Sequence, residues 1–187
     1  DENNIVLIFD EIQCGIGRTG YFFAKDYFEV QPDILTSAKA LGSGVPISAI
    51  LTTEKISEVI KPGDHGTTFG GNALATAASL AAIKAIEDEK LLQQAAEKGR
   101  WLVEKVKEKN PDAIGIKEIR GIGMMIGFEF DREAKPIVEE MMKRGVLANA
   151  TAETVLRIVP PLNISYEDLQ KVVDVMFESA QKIRENA

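Results

Sequence analysis

The run Ile5-Val-Leu-Ile-Phe9, closed by Asp10, constrains the fold more than any other stretch of the chain. Its apolar residues do not alternate with polar ones, so residues 4–10 read as a strand buried on both faces, as in a parallel sheet. Parallel strands need crossover connections, with helices covering the sheet, which makes the architecture α/β. Ligands of open α/β sheets collect at the carboxyl ends of the strands. Asp10 stands at such an end.

A second apolar strand, Ile34-Leu-Thr36, stops at Ser37 and Ala38 and then presents Lys39, ahead of Gly42 and Gly44. Small neighbours leave room for a bulky planar group beside the lysine. An amine desolvated in such a place becomes nucleophilic, as Schiff-base chemistry requires. A lone lysine is ordinarily a solvated surface charge. Asp10 at the end of a second strand is what singles Lys39 out. An acid and a reactive amine at one crevice suit pyridoxal 5'-phosphate, the amine for a Schiff base and the acid to keep the pyridine nitrogen protonated.

Three motifs in one order carry a family resemblance: Asp10-Glu-Ile-Gln-Cys-Gly-Ile-Gly-Arg-Thr-Gly20, Ser37-Ala-Lys-Ala-Leu-Gly42 and His65-Gly-Thr-Thr-Phe-Gly-Gly-Asn72. Together they resemble the class III (ornithine-type) aminotransferases. The resemblance runs to the C-terminus and corresponds to the back half of a family chain. It implies the type I fold of pyridoxal-phosphate enzymes: part of a large, mainly parallel sheet domain, then a small α+β domain. It implies Lys39 as the catalytic, cofactor-linked lysine and Asp10 as the partner of the ring nitrogen. Gln13 is implied near the phenolic oxygen, and Thr68 as a ligand for the cofactor phosphate of a neighbouring subunit. Arg157, within Leu156-Arg-Ile-Val-Pro-Pro161, is implied as the binder of a substrate carboxylate. The same resemblance implies ping-pong transamination of small amino acids and 2-oxo acids by a homodimer with a shared active site. The family usually has proline after the asparagine, where this chain has Ala73.

Other readings stand beside these. Gly15-Ile-Gly-Arg-Thr-Gly20 satisfies the dinucleotide pattern G-x-G-x-x-G, but no helix pattern follows it. The position about 20 residues on, where a ribose-binding acid belongs, holds the Lys39 region. A tight loop is the better reading. Gln13 also reads as a surface amide, and Arg157 as one end of an internal salt bridge. His65 reads as a loop-ordering residue and Cys14 as a small filler. Gly121-Ile-Gly-Met-Met-Ile-Gly127 reads as a hairpin or bulge rather than a second dinucleotide loop. A piece serving only structure or dimerisation remains open as a different class of function.

Composition narrows the field. At 187 residues, with a net charge of −7, the chain is poorly suited to nucleic acid, whose phosphates need basic surface. One cysteine and one histidine provide neither a disulfide nor a zinc cluster. No run approaches the roughly 18 apolar residues of a membrane span, and no signal-like start is present, so a cytoplasmic location is expected. A buried strand starting almost at Asp1 reads as the mark of a fragment. Further expected elements are a strand over residues 45–52, a helix over 54–60 capped by Thr53, and helices over 72–87 and 91–109. Strands over 114–120 and 124–130, a helix over 134–144, strands over 146–149 and 155–159, and a helix capped by Ser165 complete the reading. The change in composition places a domain boundary near residue 98, giving domains 1–98 and 99–187.

Overall fold

The apolar run before Asp10 becomes a strand only over its last three residues, β1 (Ile8–Asp10). In the computed structural model, which describes residues 3–186, β1 pairs in parallel with β2 (Ile34–Ser37), Asp10 lying opposite Thr36. On its other side β2 pairs antiparallel with β3 (Ala49–Thr52). This three-stranded sheet, order β1-β2-β3, is therefore mixed rather than mainly parallel. Just before β1, the Leu7 N–H donates to Asp33 Oδ2 at 2.8 Å and the Asp33 N–H donates to the Leu7 carbonyl at 2.9 Å. Burial on both faces is not what the structure shows. Ile5 and Ile8 are 71% and 57% exposed, while Leu35 on the central strand is 3% exposed. β1 is an edge strand, with one neighbour among the described residues, and an apolar run records a preference for cover rather than the cover itself.

The helices of this part are α1 (Ala24–Phe28), α2 (Glu54–Ser57) and α3 (Ala73–Asp88). The Thr53 hydroxyl does not cap α2 and is buried without a hydrogen-bond partner among the described residues. Asn72 does cap α3, its Oδ1 accepting from the Ala75 N–H at 3.0 Å. The sequence reads α3 as packed on several sides, yet only Ala75, Ser79 and Ile86 are buried, and Leu74 and Leu80 are exposed.

The chain divides into two units between Leu92 and Gln93. That point lies near the start of α4 (Leu91–Glu108), the helix that also contains residue 98. The second unit holds β4 (Ile116–Ile122), β5 (Met125–Phe130), α5 (Lys135–Lys143), β6 (Asn149–Thr151), β7 (Val155–Ile158) and α6 (Tyr166–Glu185). Its strands form an antiparallel sheet in the order β4-β5-β7-β6. The glycine-rich stretch is the β4–β5 hairpin, with Ile122 opposite Met125 across the turn. Gly121 sits at φ +148°, where a Cβ would come within 2.1 Å of the Met125 carbonyl oxygen, so only glycine fits.

Gly145 ends α5 in the left-handed region, with paired bonds from Val146 N to Met141 O and from Gly145 N to Met142 O, both 3.0 Å. That stop uses Val146, so β6 begins at Asn149 rather than Val146. Ser165 caps α6 as the sequence predicts, its Oγ accepting from the Asp168 N–H at 3.0 Å. One face of the sheet carries Ile126, Phe128, Phe130, Leu156 and Ile158 into a core with Leu102 and Val106 of α4 and Leu169, Val173 and Met176 of α6. Strand alternation puts Arg120, Gly127, Glu129 and Arg157 on the opposite face.

Candidate active site

Parallel pairing brings Asp10 and Lys39 to the carboxyl ends of adjacent strands, because Asp10 lies opposite Thr36 and Lys39 follows three residues later. Asp10 Oδ1 accepts from the Ile12 N–H at 3.0 Å and from the Thr36 hydroxyl at 3.3 Å, which fixes the plane of the carboxylate on both strands. Lys39 is exposed and opens a 3-10 turn, Lys39–Leu41, with φ +48°. A non-glycine residue in that region is strained, and such strain gathers at ligand sites. The turn is held by bonds from Leu41 N to Ala38 O and from Gly42 N to Lys39 O, at 3.0 and 3.2 Å. A Cβ on Gly42 would sit 2.0 Å from the Val45 carbonyl oxygen, so the chain turns beside the lysine only with glycine there. Ser37 Oγ, two residues before Lys39, is buried without a hydrogen-bond partner among the described residues.

Gln13 lies exposed on the loop leaving β1 and is engaged in a polar contact. Cys14 is half-buried, its Sγ donating to the Asp10 carbonyl at 3.7 Å, and burial and the neighbouring Glu11 push its thiol pKa up. That suits an inert filler. Glu11 is the residue sequence reasoning missed. It is 1% exposed, and its two carboxylate oxygens accept from the Ala24 and Lys25 N–H groups at 2.5 and 2.8 Å. Glu11 thus occupies the start of α1, the position a pyrophosphate would need if Gly15 to Gly20 bound a dinucleotide. The adjacent Asp10-Glu11 pair was the available signal. Its meaning depends on a helix thirteen residues on.

Thr68 sits in a loop, residues 61–72, that is exposed throughout. The loop shapes itself: Thr67 Oγ1 accepts from the Gly70 N–H at 3.2 Å, and Asn72 Nδ2 donates to the Phe69 carbonyl at 2.8 Å. His65 is exposed on the same loop. Arg157 belongs to the second unit, on β7 opposite Gly127 of β5 and Asn149 of β6. It lines a cleft of about 460 Å³ together with Asn149, Val159, Pro160, Asp168 and Lys171. Among the described residues no group of three or more His, Cys, Asp or Glu side chains is placed to hold a metal, and no helix is long and apolar enough to cross a membrane.

The sequence matches the family Aminotransferase class-III over residues 1–179, and the chain belongs to that family. It is 46% identical to the acetylornithine aminotransferase of Methanocaldococcus jannaschii over 184 residues, covering 98% of this chain and 46% of that protein. It is 47% identical to the ornithine aminotransferase of Brevibacillus brevis over 173 residues, covering 92% of this chain and 43% of that one. Among solved structures, the ornithine aminotransferase of Toxoplasma gondii superposes with a TM-score of 0.91 at 37% identity, over 99% of this chain and 45% of that one. That structure is described as having partial occupancy of PLP at the active site. The chain spans about half the length of the relatives it matches.

The residues present fit the cofactor of this pyridoxal-phosphate-dependent family. A carboxylate fixed by two donors, an amine on the next strand end, a glycine-bounded turn and an orphaned hydroxyl at Ser37 form a donor set suited to a planar pyridine ring.

Proposed function

We propose that this chain carries the lysine-bearing part of an aminotransferase site. The enzyme would move an amino group between N-acetylornithine, or a similar ω-amino donor, and 2-oxoglutarate. The observation that carries this reading is the in-register placement of Asp10 and the Lys39 turn on adjacent parallel strands. Both acetylornithine and ornithine aminotransferases stand among the relatives at similar identity, so ornithine is the second donor to test. Succinylornithine and 4-aminobutyrate follow as further donors.

When bound, pyridoxal phosphate supplies an electron sink for charge developing at the substrate carbon. Asp10 would hold the proton on the ring nitrogen, and Gln13 would stand by the phenolic oxygen. Lys39 Nζ would anchor the cofactor, then take and return a proton at the amino-bearing carbon of the substrate. Arg157 would grip a substrate carboxylate with its planar fork, which donates to two oxygens at once. Thr68 would serve the cofactor phosphate of a second subunit, in a cytoplasmic homodimer with a shared active site. A purely structural or dimerisation role is the reading of another class that the same experiment excludes.

The test is borohydride reduction of the protein with pyridoxal phosphate, followed by peptide mass spectrometry. The cofactor should be fixed on Lys39, and Lys39→Ala should abolish the adduct together with all transamination. An adduct retained in Lys39→Ala, or none in the parent chain, sinks the assignment.

A further inference from the structure

Glu11 is a buried carboxylate that the roles above leave unused. It is 1% exposed and forms no ion pair among the described residues; Lys25, whose N–H it accepts, turns its ammonium to Asp26 at 2.7 Å. A charge buried without a counter-ion is unfavourable unless hydrogen bonds hold it. Every polar group of Glu11 is held. Its N–H donates to the Thr36 carbonyl at 3.0 Å, continuing the β1–β2 ladder. Its carbonyl accepts from the Gly15 N–H at 3.0 Å, closing the turn after β1. Its two carboxylate oxygens take the N–H groups of Ala24 and Lys25. Capping α1 does not require this arrangement. A cap would ordinarily come from position 23, where Phe23 has no capping side chain. The acid comes instead from thirteen residues back, so it clips residues 12–23 into a closed loop whose base is the end of β1. Within that loop Ile16, β-branched and 1% exposed, is held at φ +53°, a conformation that persists only where the surroundings over-determine it.

The first turn of the loop carries the Ile12 N–H, which donates to Asp10 Oδ1 at 3.0 Å. That N–H lies inside the turn closed by Glu11 and Gly15, so Glu11 sets the direction in which it points. We propose that Glu11 is a positioning residue for Asp10: by clipping the loop to α1, it aims the Ile12 N–H that orients the Asp10 carboxylate. This rests on the reading of Asp10 as the partner of the cofactor's ring nitrogen. The Ile12 N–H and the Thr36 hydroxyl both fall on Oδ1, so losing one leaves the carboxylate turning about a single contact. Glu11→Gln keeps the volume but has one oxygen only, so one of the two α1 N–H groups would meet an NH2 donor. Gly15→Ala disturbs the same turn with the charge in place. Its Cβ would stand 2.8 Å from the Glu11 carbonyl oxygen and 3.2 Å from Oε2.

The experiment uses the full chain and two readouts. The first needs no cofactor: the 13C signal of the Asp10 carboxyl near neutral pH, with amide hydrogen exchange. In Glu11→Gln the Asp10 signal should move and the Ile12 amide should exchange about tenfold faster. The amides of Leu35 and Leu51, opposite each other on β2 and β3, should keep their protection. An unmoved Asp10 signal overturns the proposal. So do Leu35 and Leu51 amides that open as far as Ile12, since Glu11 would then clamp the fold alone. Gly15→Ala should move the Asp10 signal as well, and it decides the question if Glu11→Gln does not fold. The second readout is the Kd for pyridoxal phosphate by absorbance titration. It should rise about tenfold in Glu11→Gln, but less than about twofold when the same change is made in Asp10→Asn, where no carboxylate is left to position. Equal losses in both backgrounds overturn the proposal. Asp10→Asn alone separates the underlying reading. If it binds like the parent, Asp10 is not the cofactor's partner, and the Asp10 signal still decides whether Glu11 places that carboxylate.

Discussion

The two units of this chain satisfy their apolar residues in opposite ways. Among the described residues, the second buries twenty in one continuous core, drawn from α4, β4, β5, β7, both later helices and the turns between them. The first, which carries Asp10 and Lys39, buries Ile16, Ala24, Leu35, Ala75, Ile86 and Leu91 among its described apolar residues and leaves Ile5, Ile50, Phe69, Leu74 and Leu80 largely exposed. What differs is closure: the second unit has a helix pair over the inner face of its sheet, whereas β1 and β3 in the first are edges of a three-stranded sheet. A unit can thus position chemistry at its strand ends without completing a core of its own. Exposed apolar surface of that extent marks a surface that associates.

The sharpest way to break this contrast is a matched pair of truncations. Phe128 is fully buried, and Phe128→Ala should cost about 4 kcal/mol, by lost transfer energy plus the cavity left behind. Ile50 is 69% exposed, and Ile50→Ala should change stability by no more than about 0.5 kcal/mol. Trp101, the single tryptophan, lies in the second unit and reports its urea unfolding; hydrogen exchange reports both units, with slower exchange expected in the second. A cost for Ile50→Ala approaching that of Phe128→Ala would mean that the first unit's surface is covered in solution. Sedimentation would then show a second copy as the cover, or exclude it.

Gly99 gives a smaller effect confined to the closed unit. A Cβ there would lie 2.0 Å from the Gly123 carbonyl oxygen and 2.9 Å from Gly123 Cα. Helix backbone meets hairpin backbone at this point, and no flexible side chain can yield. Overpacking of this kind costs about 1–3 kcal/mol, against a helix-propensity gain of about 1 kcal/mol for alanine over glycine. Gly99→Ala should therefore lower the denaturation midpoint followed at Trp101. A raised midpoint would show that α4 does not approach the β4–β5 turn so closely.

What the sequence disclosed followed from how local each signal is. Asp10 and the Lys39 turn were legible because an apolar run ending in an acid and a strand ending at small residues identify strand ends without knowledge of pairing. Asn72 and Ser165 were legible as caps, since each acts on a backbone N–H three residues on. Thr53 carries the same sequence signal, and with nearly the same backbone angles as Asn72 its side chain makes no cap. Burial of β1 and α3 was misread, since periodicity reports which residues favour cover and is silent on what provides it. Glu11 with α1, and the ion pair of Glu129 with Arg120 across β4 and β5, were out of reach altogether. Each depends on a pairing set by residues far along the chain, and one step of register would have placed Glu129 on the inner face.

The smallest expected effect is a pH dependence that would narrow the difference between the units. Glu140 on α5 is nearly buried, and its Oε1 accepts from Lys182 Nζ of α6 at 2.8 Å and from Arg144 Nε at 3.1 Å. The bond from Lys182, and then that from Arg144, hold its pKa below the ordinary carboxylate range, although desolvation opposes them. Asp174 is held low in the same way, chiefly by Lys109. A carboxylate whose folded pKa lies below its unfolded one binds fewer protons in the folded state, so stability rises with pH across the interval between them. The contribution is complete above the unfolded value, about 4.3 for glutamate, and is lost as pH falls through the folded one. Glu140→Gln removes the titrating group and keeps the shape. The stability gap between parent and variant should be widest near neutral pH and close progressively below about pH 4, as the parent's carboxylate protonates. Urea midpoints at Trp101 between pH 7 and pH 3 test this, and a gap that stays constant to pH 3 would show that Glu140 contributes through packing rather than charge.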